Sequence, residues 1–372
     1  MVIGIPRETL PGERRVALVP NLVPKLTEAG RGIAVEPGAG LAAGFPDRAY
    51  EEKGARLDPD AFAAADIVLK VQPPNLDEIG RMKQGSILIG FLQPYANGPG
   101  IQALAARPVT AFSMELMPRI TRAQPMDALS AMSTVAGYKA VLLAASRAPK
   151  FFPMLMTAAG TVTPARVFVI GAGVAGLQAI ATARRLGAVV EAYDTRPAVK
   201  EQVESLGGRF AELQLGTADA EDKTGYAKGQ SEEFYRKQQE LMFKYVTAAD
   251  AVITTALIPG VRAPVLINEE MVRGMRPGSI IVDLAAEQGG NCALTEAGRE
   301  IERHGVSILG PVNVASSMPY HASEMYARTV TNYLGHLLKD GSVRLDLEDE
   351  LTRGPLVTHE GEIRNEAVKA RL

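Results

Sequence analysis

The sequence predicts an α/β protein with two doubly wound parallel sheets, joined by long helices with a cleft between them. Three observations support this: a length of 372 residues, short β-branched runs that alternate with helical stretches, and a strand, glycine turn and helix in immediate succession. With 47% apolar and 22% charged residues, the chain is expected to be globular. Its net charge of -2 predicts no surface for nucleic acid or an anionic membrane.

Five predicted strands define each sheet. They are residues 2–5, 33–36, 67–71, 87–91 and 109–113 in the first sheet, and 166–170, 189–193, 251–255, 280–284 and 306–309 in the second. The stretches 127–146 and 323–338 have helical apolar spacing and are predicted as the long connecting helices. This assigns residues 1–126 and 320–372 to an N-terminal domain, and 127–319 to a second domain.

Two segments, one in each predicted domain, share the same order of residues. Ala-Asp precedes a β-branched strand at 65–66 and at 249–250, and Gly-Ser-Ile follows at 85–87 and at 278–280. Repetition of one βα unit and chance similarity between ordinary units both account for this, because such units share their turn chemistry.

Cysteine and charge placement predict the compartment. The single cysteine, Cys292, cannot form an internal disulfide, and four histidines without ligand spacing predict no metal site. Arg7 and Glu8 interrupt the apolar stretch that a signal peptide needs, so a cytoplasmic location is expected. The longest uncharged run, 84–106, contains prolines and glycines and is predicted as a buried strand followed by a loop, not as a membrane span.

The strongest motif is GAGVAG at 171–176, between a β-branched run and a helical stretch. Gly171 permits a tight turn, Gly173 lets the backbone approach a pyrophosphate, and Gly176 allows close packing of helix and strand. Phosphates bind at the N-terminus of such a helix, here near Val174. The motif predicts a Rossmann-like dinucleotide-binding domain, and glycines that serve only packing are the alternative.

The next strand ends at Asp194, close to the spacing expected for a carboxylate that binds ribose hydroxyls. Because a carboxylate repels a 2′-phosphate, Asp194 favours NAD(H) over NADP(H). Arg196 complicates this, since an arginine there could bind that phosphate. Either residue could instead cap the turn before Pro197.

Two further segments are candidate walls of this site. Thr255, Ala256 and Leu257 end a predicted strand, and the carboxyl ends of parallel strands face the ligand crevice. The polar stretch 216–230 is long for a connection, so it is predicted as a lid or as disordered. Its Tyr226 could lay an aromatic face over a bound nucleotide.

Five motifs, ERRVAL, RITRAQPMDALS, GAGVAG, YDTRP and GYAK, give nearly the whole chain a family resemblance. The chain resembles the NAD(H)-binding component, domain I, of proton-translocating nicotinamide nucleotide transhydrogenases, whose sister enzyme is alanine dehydrogenase. The resemblance implies a Re/Si-specific transhydrogenase in which hydride passes directly from NADH to NADP+ on a partner component, coupled to proton movement through a membrane component.

The resemblance also implies the assembly and the site residues. A homodimer is expected, as a separate soluble subunit held at the cytoplasmic membrane face by its partners. Around the nicotinamide ring and its ribose it implies Arg119, Gln124, Asp127 and Ser130; on the adenosine side and its mobile loop it implies Asp194, Thr195, Arg196, Gly225, Tyr226 and Leu257. Without the resemblance, Asp127 would be read as a helix N-cap and Ser130 as a first-turn residue.

Two alternatives remain, an amino-acid dehydrogenase and a module that senses NADH. Alanine dehydrogenases resemble this chain at Arg15 and Lys70, which hold their substrate carboxylate, but they have a catalytic histidine where Gln93 stands and an aspartate where Glu287 stands. A glutamine amide does not exchange a proton near neutral pH, so oxoacid chemistry is not expected. Arg15 and Lys70 are then expected in structural ion pairs. The sequence hardly separates the sensing module from a transhydrogenase component.

Overall fold

The structure is a computed structural model that describes residues 1–27, 30–212, 232–257, 260–339 and 341–372. The chain divides into two compact units. The first comprises Met1–Met132 with Ala315–Leu372, and the second comprises Ser133–Val314. The domain bounds predicted at 126/127 and 319/320 lie a few residues from these.

The N-terminal part of the first unit alternates strands and helices. The strands are β1 (Val2–Ile5), β2 (Gly32–Val35), β3 (Arg56–Leu57), β4 (Ile67–Leu69), β5 (Ile87–Gly90) and β6 (Thr110–Ser113). The helices are α1 (Val23–Thr27), α2 (Asp47–Glu51), α3 (Ala61–Ala64), α4 (Leu76–Arg81), α5 (Gly98–Ala106) and α6 (Ala128–Arg147), the last of which runs across the boundary into the second unit.

The second unit begins with a hairpin and continues with a doubly wound sheet. Its strands are β7 (Leu155–Thr157), β8 (Gly160–Val162), β9 (Arg166–Ile170), β10 (Val189–Tyr193), β11 (Arg209–Phe210), β12 (Ala251–Thr254), β13 (Ile280–Asp283), β14 (Glu300–Arg303) and β15 (Val306–Leu309). Its helices are α7 (Val174–Arg185), α8 (Lys200–Ser205), α9 (Glu232–Ala248) and α10 (Glu269–Gly274). The strand order of the sheet is β11-β10-β9-β12-β13-β15-β14.

The C-terminal segment completes the first unit. It contains α11 (Pro319–Leu337), β16 (Leu338–Lys339), β17 (Ser342–Val343), α12 (Glu350–Arg353), β18 (Leu356–His359), β19 (Glu362–Ile363) and α13 (Glu366–Lys369). The order of the first sheet is β19-β18-β6-β5-β4-β1-β2-β3. The predicted α/β class with two doubly wound sheets is confirmed, and all ten predicted strands are present with ends within two residues of those predicted. Antiparallel strands complete one edge of each sheet, β18 and β19 in the first and β14 in the second.

Each face of the second sheet has its own core, because successive residues of a strand point to opposite faces. Val167 and Val169 of β9 pack in the core that contains residues of α6 and α7. Phe168 and Ile170 pack in the core that contains residues of α9 and α10. Buried strands of this kind fix the ends of β9 and β12, from which the candidate site is built.

Two predicted segments compare as follows with the structure. The helix predicted at 127–146 is α6, and it alone among the described helices has the length and mean hydropathy, 1.4, of a membrane span. Core helices meet the same criteria, and Ala140 and Val141 of α6 lie in the second core. The loop predicted after β5 was wrong in part, because Asn97 caps α5 and Pro99 lies in its first turn.

The repeated Ala-Asp pairs make the same contact in both units. Asp66 accepts a hydrogen bond of 2.8 Å from the amide of Val2 and pairs with Lys83 at 3.0 Å. Asp250 accepts a hydrogen bond of 2.8 Å from the amide of Arg166 and lies 3.8 Å from Arg276. Each aspartate therefore ties the strand that follows it to the first strand of its own sheet.

Candidate dinucleotide-binding site

The glycine motif lies at the point where the second sheet reverses its strand order. From β9 the chain proceeds outward to β10 and β11, and β12 then begins the other half of the sheet on the opposite side of β9. In open α/β sheets, ligands bind beside the carboxyl ends of the strands at such a switch point. The motif directly follows β9, and Thr255 directly follows β12.

Gly176 and Gly173 have different reasons to lack a side chain. A Cβ on Gly176 would lie 1.8 Å from the carbonyl oxygen of Gly171, so this glycine is required by packing inside the protein. A Cβ on Gly173 would meet a single described protein atom within 4 Å, Nη2 of Arg196 at 4.0 Å. The protein leaves open space beside Gly173, which fits the approach of a pyrophosphate to the backbone.

Helix α7 begins at Val174 with Gly173 as its N-cap, and no side chain caps this end. The first amides of a helix have no partner within the helix, and the helix dipole adds partial positive charge there. Val174 is 43% exposed, so this end of α7 is accessible. The open space beside Gly173 and the uncapped helix end together suit a phosphate group.

Asp194 and Arg196 bind each other. The Asp194 carboxylate accepts hydrogen bonds of 2.9 Å from Nε and 2.8 Å from Nη2 of Arg196. It also accepts hydrogen bonds from the amides of Ala172, at 2.8 Å, and Arg196, at 2.9 Å. The carboxylate therefore ties the glycine turn to the turn after β10, and the guanidinium beside it reduces its repulsion of a phosphate. Thr195 lies half-buried between the pair.

The segment after β12 braces the glycine turn. The hydroxyl of Thr255 donates a hydrogen bond of 2.9 Å to the carbonyl of Gly171. A Cβ on Gly171, whose φ is +93°, would lie 3.1 Å from the amide nitrogen of Ala256. Leu257 is half-buried at the end of this segment. The predicted lid, with Gly225 and Tyr226, lies outside the described residues.

The stretch implied to face the nicotinamide lies mainly in the first unit. Residues 121–126 form a 3-10 helix, and the side chains of Arg119 and Gln124 are exposed. Asp127 accepts hydrogen bonds from the Ser130 amide at 2.8 Å and the Ser130 hydroxyl at 2.6 Å, which is the geometry of a helix cap. The Ser130 oxygen can still accept a hydrogen bond, so this cap does not exclude a role in binding.

Arg15 is held in a buried ion pair. It binds the Glu13 carboxylate through Nε at 2.7 Å and Nη2 at 2.5 Å, and Gln72 donates to the same carboxylate at 2.8 Å. Although burial acts in the opposite direction, the hydrogen bonds and charge of Arg15 lower the pKa of Glu13 to about 2.

Lys70 is also held in buried ion pairs. Its Nζ lies 3.3 Å from Glu8 and 3.7 Å from Glu78. Burial raises the pKa of Glu8, against the attraction of Lys70. Arg15 and Lys70 therefore have the ion-pair role that the sequence analysis expected for them.

Position 93 displays a side chain on a constrained turn. Gln93 is exposed and has a φ of +49°, which is uncommon for a residue other than glycine. Glu115 fixes this turn by accepting hydrogen bonds from the amides of Leu92 and Gln93, at 3.0 and 2.8 Å. Burial raises the pKa of Glu115, which its hydrogen bonds oppose. Glu287 accepts a hydrogen bond of 3.3 Å from the amide of Asn313.

Sequence reasoning missed two buried residues, Asp283 and Asn291, that contact the wall of the site. Asn291 binds the backbone of Ala256, and Asp283 holds the turn that contains Asn291. One sequence feature could have indicated them: an aspartate ends the apolar strand IIVD and is followed by Gly-Gly at 289–290, where a turn could wrap around the carboxylate.

Comparisons with known proteins cover almost the whole chain. The family described as "Alanine dehydrogenase/PNT" matches with its N-terminal domain at residues 4–136 and its C-terminal domain at 140–366. The chain is 50% identical over 374 residues to an NAD(P) transhydrogenase subunit alpha protein of Rhodospirillum rubrum, covering 98% of this chain and 97% of that protein. It is 31% identical over 386 residues to the alanine dehydrogenase of Bacillus subtilis, covering 100% of this chain and 95% of that one.

A solved structure gives the same result. The crystal structure of transhydrogenase from Sinorhizobium meliloti matches 98% of this chain and 100% of that chain, with a TM-score of 0.90 and 45% identity. Similarity in sequence and in fold thus extends over both units. The chain belongs to the alanine dehydrogenase/PNT family, and it is more similar to the transhydrogenase alpha subunits in that family than to the alanine dehydrogenase.

Proposed function

We propose that the chain is the NAD(H)-binding component of a proton-translocating transhydrogenase. In this proposal, hydride passes directly between NADH on this chain and NADP+ on a partner component, and the transfer is coupled to proton movement through a membrane component. The open space beside Gly173, at the uncapped end of α7, supports the nucleotide site. The glutamine at 93 supports transhydrogenation over oxoacid chemistry, because its amide cannot act as an acid or base.

The chemistry in this proposal needs no nucleophile from the protein. A bound nicotinamide supplies and accepts the hydride. The residues of this chain bind, orient and shield, which requires the two reacting carbons to be held roughly 3 to 3.5 Å apart. We assign Arg119, Gln124, Asp127 and Ser130 to the nicotinamide end. We assign the glycine turn with Val174, together with Asp194, Thr195, Arg196, Gly225, Tyr226 and Leu257, to the rest of the dinucleotide.

The assembly belongs to the proposal as well. NADP(H) is bound by the partner component, and the chain is held at the cytoplasmic face of a membrane through its partners. An exposed apolar surface around the β7–β8 hairpin supports a homodimer: Phe151 and Met154 are each 58% exposed, and Met156 is 79% exposed. Contiguous apolar exposure of this kind is typical of protein contact surfaces.

NADH is expected to bind much more tightly than NADPH. A 2′-phosphate would have to draw Arg196 away from Asp194, and would then face a carboxylate that is only 7% exposed and has lost its partner. The Asp194→Ala variant should bind NADH more weakly by about 1 to 3 kcal/mol, the range for hydrogen bonds to a charged group. Calorimetry with both nucleotides measures this, and equal affinities would contradict the assignment to NAD(H).

The isolated chain is expected to show no alanine dehydrogenase activity, because Gln93 offers no proton donor or acceptor. Absorbance at the NADH band in the presence of pyruvate and ammonia measures this. Any enzyme-dependent oxidation of NADH would favour the dehydrogenase alternative.

The same chain, mixed with an NADP(H)-loaded partner component, tests transhydrogenation directly. NADH should be oxidised as NADP+ is reduced. Binding of NADH without transfer in this mixture would favour a module that senses NADH.

A further inference from the structure

A buried carboxylate organises the turn next to the candidate dinucleotide site. Asp283, at the end of β13, has 0% exposure, and five neutral groups donate hydrogen bonds to it. They are the hydroxyls of Thr254 at 2.8 Å and Thr295 at 2.7 Å, and the amides of Ala285 at 3.0 Å, Asn291 at 2.8 Å and Cys292 at 3.0 Å. These donors satisfy a carboxylate that would otherwise be costly to bury.

The turn that wraps Asp283 depends on two consecutive glycines. Gly289 and Gly290 have φ of +97° and +81°. A Cβ on Gly290 would lie 2.8 Å from Oδ2 of Asp283, so the backbone closes directly on the carboxylate. This geometry brings the Asn291 amide to Asp283 and fixes where the Asn291 side chain begins.

The Asn291 side chain in turn fixes the segment after β12. Its Oδ1 accepts a hydrogen bond of 3.0 Å from the amide of Ala256, and its Nδ2 donates bonds of 2.7 Å to the Ala256 carbonyl and 2.8 Å to the Pro264 carbonyl. Both backbone polar groups of Ala256 are thus bound by one side chain, just past the end of the strand. Asn291 is itself completely buried.

The bonds form a continuous path to the glycine turn. Asp283 holds Asn291, Asn291 holds Ala256, and the adjacent Thr255 donates to the Gly171 carbonyl at 2.9 Å. We propose that Asp283 and Asn291 are positioning residues for the dinucleotide site: they hold residues 255–257 against the glycine turn. This inference rests on the proposed function, since it assumes that the turn binds a nucleotide.

A first experiment tests the positioning step without any nucleotide. In the Asn291→Ala variant, the Ala256 amide loses its acceptor. Amide hydrogen exchange at Ala256 should therefore become at least about tenfold faster, while exchange at Ile253, inside β12, stays unchanged. Unchanged exchange at Ala256 would overturn the inference, whatever nucleotide the protein binds.

A second experiment tests the consequence for binding. NADH affinity, measured by calorimetry, should fall by at least about tenfold in Asn291→Ala, because a displaced wall no longer supports the turn. The matched control is Asn268→Ala, which removes the N-cap bond of 2.9 Å to Met271 on α10 in the same unit. This control should lower the melting temperature and leave NADH affinity unchanged.

The binding outcomes separate positioning from general stability. An equal loss of affinity in Asn268→Ala, or an unchanged affinity in Asn291→Ala, would overturn the inference. A double-mutant cycle adds a third readout: Thr255→Val and Asn291→Ala should lose less affinity together than the product of their separate losses, because they act on the same segment. Strict additivity would contradict the path of bonds. Failure of the wild-type chain to bind NADH would instead contradict the proposed function.

Discussion

Gly173→Ala is expected to leave the fold intact and to reduce NADH affinity by at least about a hundredfold, because the new methyl group would occupy the space where a pyrophosphate meets the backbone. The backbone angles at Gly173, φ -73° and ψ -168°, are ones that alanine also adopts. The new Cβ would contact a single described atom of the protein, 4.0 Å away. The free energy of unfolding should therefore change by less than about 1 kcal/mol.

Gly176→Ala is the matched comparison, with the opposite effect on the fold. Its Cβ would overlap the Gly171 carbonyl oxygen at 1.8 Å, so helix α7 must move away from β9. Overpacking of this kind typically costs about 1 to 3 kcal/mol. Thermal unfolding without nucleotide and calorimetry with NADH measure both variants. Normal NADH binding by Gly173→Ala would show that the open space beside Gly173 is not part of a pyrophosphate site.

Local patterns predicted the interior of both sheets well. The buried strands are short β-branched runs, and the glycine spacing follows from the contacts of Gly176 and Gly171, which lie close in the chain. The edge strands were missed because their turns use residues that are uncommon at positive φ. His304-Gly305 joins β14 to β15, and Glu360-Gly361 joins β18 to β19, where Asn-Gly or Asp-Gly would have been recognised.

The candidate site was predictable only where its residues belong to one continuous motif. That Asp194 is already bound by Arg196 depends on side-chain conformation, and the sequence left both a ribose contact and a turn cap open. Asn291 is far from Ala256 along the chain, and only the pairing of β12 with β13 brings them together. Positions of this kind are set by tertiary structure, which periodicity and motif spacing do not encode.

Gln124 is expected to control hydride transfer without controlling NADH binding. Its side chain is exposed on the 3-10 helix 121–126, and that helix is anchored on both sides. Arg122 binds the Asp349 carboxylate at 2.6 and 2.8 Å, and Asn332 donates a hydrogen bond of 3.0 Å to the Pro125 carbonyl. An exposed amide on an anchored turn suits a contact with a nucleotide that a partner component brings, so we expect Gln124 to orient the acceptor.

Gln124→Asn should therefore leave the NADH dissociation constant nearly unchanged and slow hydride transfer by about a hundredfold. Removing one methylene withdraws the amide by about 1 Å, and a misplacement of that size can cost this much in rate. Stopped-flow measurement with an NADP(H)-loaded partner at saturating nucleotide gives the transfer rate. Gln102→Asn, at an exposed position on α5 of the same unit, is the matched control and should transfer at the wild-type rate. An unchanged rate in Gln124→Asn, or a loss explained wholly by weaker NADH binding, would show that Gln124 does not orient the acceptor.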